Sequence, residues 1–224
     1  MRKTLFTASV LAVALAAPFA QAHQAGDVIL RAGAITVEPR EDSGNVFTSI
    51  TGAITGSKAT LDSDTQLGLN FAYMVTDKLG VELLAATPFE HSVGLSGMPL
   101  GLDGDFADVK HLPPTLSLVY YPLDTKSAFQ PYVGLGVNYT VFFDEELNSR
   151  RKGEQFGNLE LDDSWGLAAQ VGMDFMLTDQ LMLNAQVRYI DIDTEATADS
   201  AFGKVKVDVD VDPMVYMVGL GYKF

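Results

Sequence analysis

The C-terminal segment constrains the fold most: Met214, Tyr216, Val218, Leu220, Tyr222 and Phe224 take every second position, and all are apolar or aromatic. Period two puts these six side chains on one face of a β-strand and Val215, Met217, Gly219, Gly221 and Lys223 on the other. A strand with one oily face, ending on an aromatic residue, suits the wall of a bacterial outer-membrane barrel, where lipid covers that face.

Seven further segments alternate in the same way, giving strands near residues 28–36, 67–75, 79–87, 114–122, 133–143, 165–175 and 181–189, with the last at 214–224. An even count lets an antiparallel up-and-down barrel close with both termini on one side. The connections alternate in length. Residues 37–66, 88–113, 144–164 and 190–213 are long, whereas Thr76-Asp77-Lys78, Leu123 to Pro131 and Met176 to Gln180 are short and hold small oxygen-bearing turn residues. The expected fold is therefore all-β: an eight-stranded antiparallel transmembrane barrel with long extracellular loops and short periplasmic turns.

Charge tests the assignment of faces, because a lysine or arginine facing lipid at mid-membrane costs about 2–4 kcal/mol. None of the proposed outward residues is charged, from Leu30, Ala32 and Ala34 on the first strand to Leu183, Ala185 and Val187 on the seventh. The opposite faces carry Arg31, Glu82, Asp174, Arg188 and Lys223, with Asn70, Asn138, Gln170, Asn184 and Gln186. A soluble barrel with its apolar side chains inside would have to place these charges in a dry core, which disfavours it. Tyr73, Tyr120, Tyr139, Trp165, Phe175, Tyr189 and Tyr222 lie toward the ends of the outward stripes, as interfacial aromatic girdles require.

The N-terminus agrees with export. Arg2 and Lys3 precede an apolar run from Leu5 to Ala17, and Ala20-Gln21-Ala22 forms an A-x-A cleavage site. Residues 1–22 read as a signal peptide and 23–224 as the barrel domain, beginning at His23. Losing Arg2 and Lys3 with that segment moves the net charge from −14 to −16, and no basic cluster remains to hold nucleic acid. Without cysteine there is neither a disulfide nor a thiolate ligand.

Several motifs then occur in one order: Gly80-Val81-Glu82-Leu83-Leu84 continuing to Thr87-Pro88-Phe89, His111-Leu112-Pro113-Pro114-Thr115-Leu116, Pro131-Tyr132-Val133-Gly134, Phe142-Phe143-Asp144 and Asp163-Ser164-Trp165-Gly166. Together they resemble the outer membrane protein W (OmpW) family, related to the alkane-uptake protein AlkL, over the whole mature chain. The resemblance implies a Gram-negative outer-membrane barrel whose narrow lumen admits small hydrophobic molecules. It also implies a constriction of an inward leucine and an inward aromatic residue, which fall here on Leu84 and Arg188. Arginine departs from that pattern, and Arg188 is expected to pair with Glu82 or Asp174 inside the barrel. Inward Met74, Leu84, Ala86 and Val119 are expected to continue an apolar wall below loops rich in Val46, Phe47, Ile50, Phe89, Val93, Leu95 and Phe106. The proposed lumen set is thus Leu84, Arg188, Glu82, Met74 and Asp174.

No catalytic or metal site is expected, and no cofactor. His23, His91 and His111 are far apart in sequence and in no H-E-x-x-H spacing, so they read as loop residues. Ser92 beside His91 is a poor catalytic pair, because neighbours on a strand face opposite ways. Asp208, Asp210 and Asp212 begin like a calcium loop, but Pro213 stands where the turn needs glycine. They read as one face of a strand extension above the membrane. The expected partners are outer-membrane lipids, lipopolysaccharide and small hydrophobic solutes. A non-conducting structural or receptor barrel is the alternative.

Overall fold

A computed structural model describes residues 22–201 and 203–224, so the expected signal peptide, Ala22 apart, lies outside the described residues. Eight strands form the barrel: β1 (Val28–Glu38), β2 (Asp64–Met74), β3 (Leu79–Ala86), β4 (Thr115–Tyr120), β5 (Phe129–Leu147), β6 (Ser164–Met176), β7 (Leu181–Ile190) and β8 (Met214–Lys223). Each pairs antiparallel with its neighbours in sequence, and β8 pairs with β1 from Ile29↔Lys223 to Glu38↔Met214. Closure removes both sheet edges, so every strand in the wall has backbone partners on both sides, as a structure in hydrocarbon must.

The phase of all eight strands follows the alternation. Leu135, Leu167 and Trp165 are 72%, 68% and 74% exposed, values that a water-facing surface cannot repeat around a whole circumference but a lipid-facing one requires. Their inward neighbours Gly134, Ala168 and Ser164 are buried. Two aromatic belts bound the apolar band. Tyr139 stacks on Trp165 with ring centroids 4.5 Å apart near the outer end, and Tyr222 meets Phe224 edge-on at 4.8 Å near the inner end.

The long connections differ from the loops expected from sequence, because they continue the sheet above the membrane. β5 runs on past the outer belt and pairs with a strand at Gly104–Leu112, which pairs with Phe89–Ser96, which pairs with Lys58–Leu61. A register shift between Phe143 and Glu146 interrupts the upper part of β5, with Asp144 in the left-handed region at φ 51°. A second flap pairs Asp193–Ser200 with both Gly203–Asp210 and Gly157–Leu161, and adds Phe47–Thr48 beside it. A five-residue helix at Ser149–Gly153 joins the flaps, and its buried Arg151 donates to the carbonyl oxygens of Leu102, Asp103 and Asp105 at 2.7–3.1 Å. One charged side chain thereby ties three carbonyl groups of a surface bend to the helix.

Candidate functional site: a polar plug below an apolar vestibule

Inward positions at the middle of the barrel are polar, and closing the sheet forces them together. Arg31 of β1 spreads its guanidinium across the lumen. Its Nε and Nη2 donate to the two carboxylate oxygens of Asp174 at 3.0 and 2.6 Å, Nη1 to Asn70 at 3.0 Å and Glu82 at 3.4 Å, and Nη2 also to Tyr121 at 2.8 Å. Asp174 further binds His23 Nε2 at 2.8 Å and accepts from Asn184 at 2.8 Å. Arg188 donates through Nη2 to Glu82 at 2.7 Å and to Gln170, whose own amide donates to Glu82 at 2.9 Å. Two cations thus face two carboxylates, all fully buried, with each carboxylate holding several donors.

Below this layer, toward the short turns, lies a separate apolar cluster of Ile29, Ala72, Met74, Val119, Met176 and Met182. Above it, Ile35, Val37, Leu84, Ile190, Val215 and Met217 fill the barrel and join the apolar interior of the two flaps. Of the proposed lumen set, the structure brings Arg188, Glu82 and Asp174 into one network. It sets Leu84 on the outer side of that network and Met74 on the inner side, so the apolar wall expected from Leu84, Ala86, Met74 and Val119 is divided by a charged layer. The pairing expected of Arg188 also resolves. Glu82 takes it, because Asp174 is already held by Arg31 and His23.

Sequence reasoning left Arg31 out of the site although its inward phase was legible. It also missed Tyr121 and Tyr132. Tyr132 lies across Gly172, where a side chain's Cβ would meet the ring at 2.4 Å, and its hydroxyl accepts from Asn184 at 3.1 Å. The glycine is the signal: an inward position without a side chain on β6 makes room for a large one on β5.

Between the flaps a cavity of about 60 Å³ opens outward, walled mostly by aliphatic and aromatic side chains, among them Leu95, Val109, Phe142, Ala196 and Val207. His91 and His111, read from sequence as unrelated loop residues, are both buried in its wall and stack on each other with ring centroids 4.9 Å apart. Pairing of Phe89–Ser96 with Gly104–Leu112 makes them diagonal neighbours, at His91↔Val109 and Phe89↔His111. Burial lowers the His91 imidazole below its ordinary range, against the pull of the Asp62 carbonyl. Burial, with His91 second, pushes His111 down to about 3, so both rings are neutral in ordinary media.

The acidic face also differs from expectation. Strand pairing stops at Asp210, and Asp212 turns back in a left-handed conformation at φ 39° to accept from Tyr189 at 2.8 Å. It groups with Asp191 and Asp193 rather than with Asp208 and Asp210.

In the wall between β3 and β4 the ladder is broken. Leu84↔Thr115 is the last pair within the barrel and Phe89↔His111 the first above it, leaving residues 85–88 facing 112–114 without pairing. Pro88, Pro113 and Pro114 fall in this gap and carry no N–H to bridge it.

Comparison with known proteins agrees with this architecture. The model of the OmpW family matches residues 24–224. Outer membrane protein W of Vibrio cholerae is 46% identical over 224 residues, covering 100% of both chains. The crystal structure of the outer membrane protein OprG from Pseudomonas aeruginosa superposes with a TM-score of 0.88 at 55% identity, covering 91% of this chain and 98% of that one. Outer membrane protein AlkL of Ectopseudomonas oleovorans is 29% identical over 177 residues, 77% of this chain and 72% of its own. A closed eight-stranded wall with lipid-facing aromatic belts, matched over its length by these relatives, makes the chain a member of the OmpW family of Gram-negative outer-membrane barrels.

Proposed function

We propose that the protein is a non-catalytic conduit for small hydrophobic molecules, which enter the vestibule between the flaps and leave sideways into the outer leaflet through the gap between β3 and β4. The observation that carries this reading is the position of the cavity. Its apolar walls end on a packed barrel whose middle is a buried ion network, while the unpaired stretch of wall stands beside Phe89 and His111 at the cavity's lower end. A solute following the axis would have to enter among paired charges, which costs an apolar molecule nothing in itself but requires breaking bonds worth several kcal/mol. Moving sideways asks only for the widening of a seam that no cross-strand pairing closes, since residues 85–88 and 112–114 hold on to their other neighbours instead. Lipopolysaccharide is a polar barrier to such solutes, and an apolar vestibule above it lowers their desolvation cost.

No chemistry is assigned to the site. His91 is buried on the inner face, whereas Ser92 points out and bonds to Asp108 at 2.8 Å. Exposed Phe47 and Ile50 on the second flap favour a further reading, contact with a surface partner by a barrel that conducts nothing. Uptake of a small apolar fluorophore by outer-membrane vesicles separates the two. The conduit requires uptake that depends on the wild-type protein and falls with Leu84→Arg at the vestibule floor, and its lateral exit requires that uptake also fall when a disulfide tethers residues 85–88 to 112–114. Equal uptake in vesicles with and without the protein leaves the receptor reading. Uptake that survives the tether rejects the lateral exit alone.

A further inference from the structure

Besides Thr197 and Thr194, whose hydroxyl donates to the Asp162 carbonyl oxygen at 2.7 Å, the wall of the vestibule holds a pair of imidazoles that the polar plug does not use. His91 donates through Nδ1 to the carbonyl oxygen of Asp62 at 2.6 Å, which fixes its tautomer and leaves Nε2 as a bare acceptor. That Nε2 is buried and has no partner among the described residues. His111, stacked against it and packed on Phe89 and Phe142 at 5.4 and 5.8 Å, makes no hydrogen bond among the described residues either. Two adjacent, largely buried imidazoles in a mostly apolar wall are an expensive arrangement, because a buried polar atom without a partner costs about 1–3 kcal/mol. Two phenylalanines would fill the same space at no such cost. The nearest carboxylates, Asp62 and Asp64, lie behind His91 on the outer side, with Asp62 59% exposed, so the cavity itself holds no formal charge.

Resting on the conduit reading above, we propose that the His91–His111 pair is a head-group site, and that the vestibule takes small apolar molecules bearing one hydroxyl, with the hydroxyl donating to His91 Nε2 and the hydrocarbon lying along the aliphatic wall. A hydroxyl supplies the donor that His91 lacks and brings no charge into a low-dielectric pocket. A carboxylate fails on both counts, since it has no proton to donate and would meet neutral rings with aspartates behind them. The two neutral rings are consistent with this choice, for a protonated pair would select anions instead. An alkane fills the cavity but leaves His91 Nε2 unpaired. The site therefore ranks alcohol above alkane and alkane above carboxylate.

The test uses the full mature protein in lipid nanodiscs, with 1-hexanol, hexane and hexanoate as probes at pH 7.5. Methyl resonances of Leu95 and Val109 report occupancy, and the histidine side-chain ¹⁵N resonances report hydrogen bonding at Nε2. The expected result is that 1-hexanol moves both sets of signals, that hexane moves the methyls alone, and that His91→Phe weakens 1-hexanol about five-fold while leaving hexane unchanged, the effect of one lost hydrogen bond. His111→Phe serves as a second variant. If neither variant folds, the ¹⁵N response of the wild-type protein to 1-hexanol against hexane decides alone. Methyl shifts for both ligands with no ¹⁵N response to 1-hexanol, or hexanoate binding as well as 1-hexanol, overturns the head-group site and leaves the conduit standing. No methyl shift with any probe overturns the conduit as well.

Discussion

Replacing Arg188 tests whether the buried network closes the lumen. Arg188 Nη2 lies 2.7 Å from the Glu82 carboxylate with both side chains almost wholly buried. At an effective dielectric of about 20, that separation corresponds to a gross attraction of about 6 kcal/mol. Desolvating the two ions opposes it by several kcal/mol each, so the net value of the pair is far smaller than the gross one. Deleting a single partner is a different matter, because the other charge stays buried. Losses of about 3–5 kcal/mol are usual, and Arg188→Met should fall at the low end, since Glu82 keeps Arg31 at 3.4 Å and Gln170 at 2.9 Å. Glu82→Gln should cost more, because among the described residues Arg188 Nε and Nη1 already lack partners and Gln170 alone would remain. The double variant Arg188→Met/Glu82→Gln should be less destabilised than the two losses added together, with a coupling of about 2 kcal/mol. Urea unfolding in lipid vesicles, followed by the fluorescence of the single tryptophan, Trp165, measures all three. In planar bilayers Arg188→Met should also raise ion conductance and make it cation-selective, because a net negative charge is left in the lumen. A coupling below about 0.5 kcal/mol together with unchanged conductance would refute the idea that this pair closes the barrel.

Other expectations concern the flaps and the packing around the plug. The folded His111 is held near 3 against an ordinary value of about 6.5, so it stabilises the flaps fully above pH 6.5, and that stability is lost as pH falls toward 3, by about 1.4 kcal/mol per unit. Amide exchange in Phe89–Ser96 and Gly104–Leu112 should therefore accelerate over this window, and His111→Phe should reduce the change, leaving the smaller part that His91, also lowered by burial, contributes. Gly172→Ala drives a Cβ to 2.4 Å from the Tyr132 ring and should cost about 1–3 kcal/mol in the same urea assay, with the loss of protection concentrated around Asn184 and Gln186. Arg151→Ala removes donors from three carbonyl oxygens and should make the flap loops protease-sensitive while the barrel stays folded, and equal sensitivity of barrel and flaps would contradict the division between them.

The barrel was legible because its two environments differ so sharply. Lipid admits no charge, so period-two alternation alone set the phase of every wall strand, from Leu30 on β1 to Phe224 past β8, and no outward position proved to be buried. Apart from the strand through Asp208 and Asp210, the flaps were not legible as strands. Segments such as Lys58–Leu61 and Gly157–Leu161 are only four and five residues long, too short for their alternation to stand out from the loop residues around them. Within the site, the inward phase of Arg31, Glu82, Asp174 and Arg188 followed from the same alternation, whereas their partners did not. Phase fixes which way a side chain points but not its height along the axis, and height depends on the stagger between strands. That is why Met74 and Leu84, alike on paper, stand on opposite sides of the plug.

The sequence by itself determined the compartment, the strand count and the face of each wall residue, since all three rest on local patterns of charge and hydropathy that the membrane enforces residue by residue. Tertiary structure alone decided that Arg31 and not Arg188 holds Asp174, that the charged layer divides the lumen, and that His91 and His111, twenty residues apart in the chain, share one wall. Those outcomes depend on closure and register, which bring distant inward positions to one height, and no single strand carries that information.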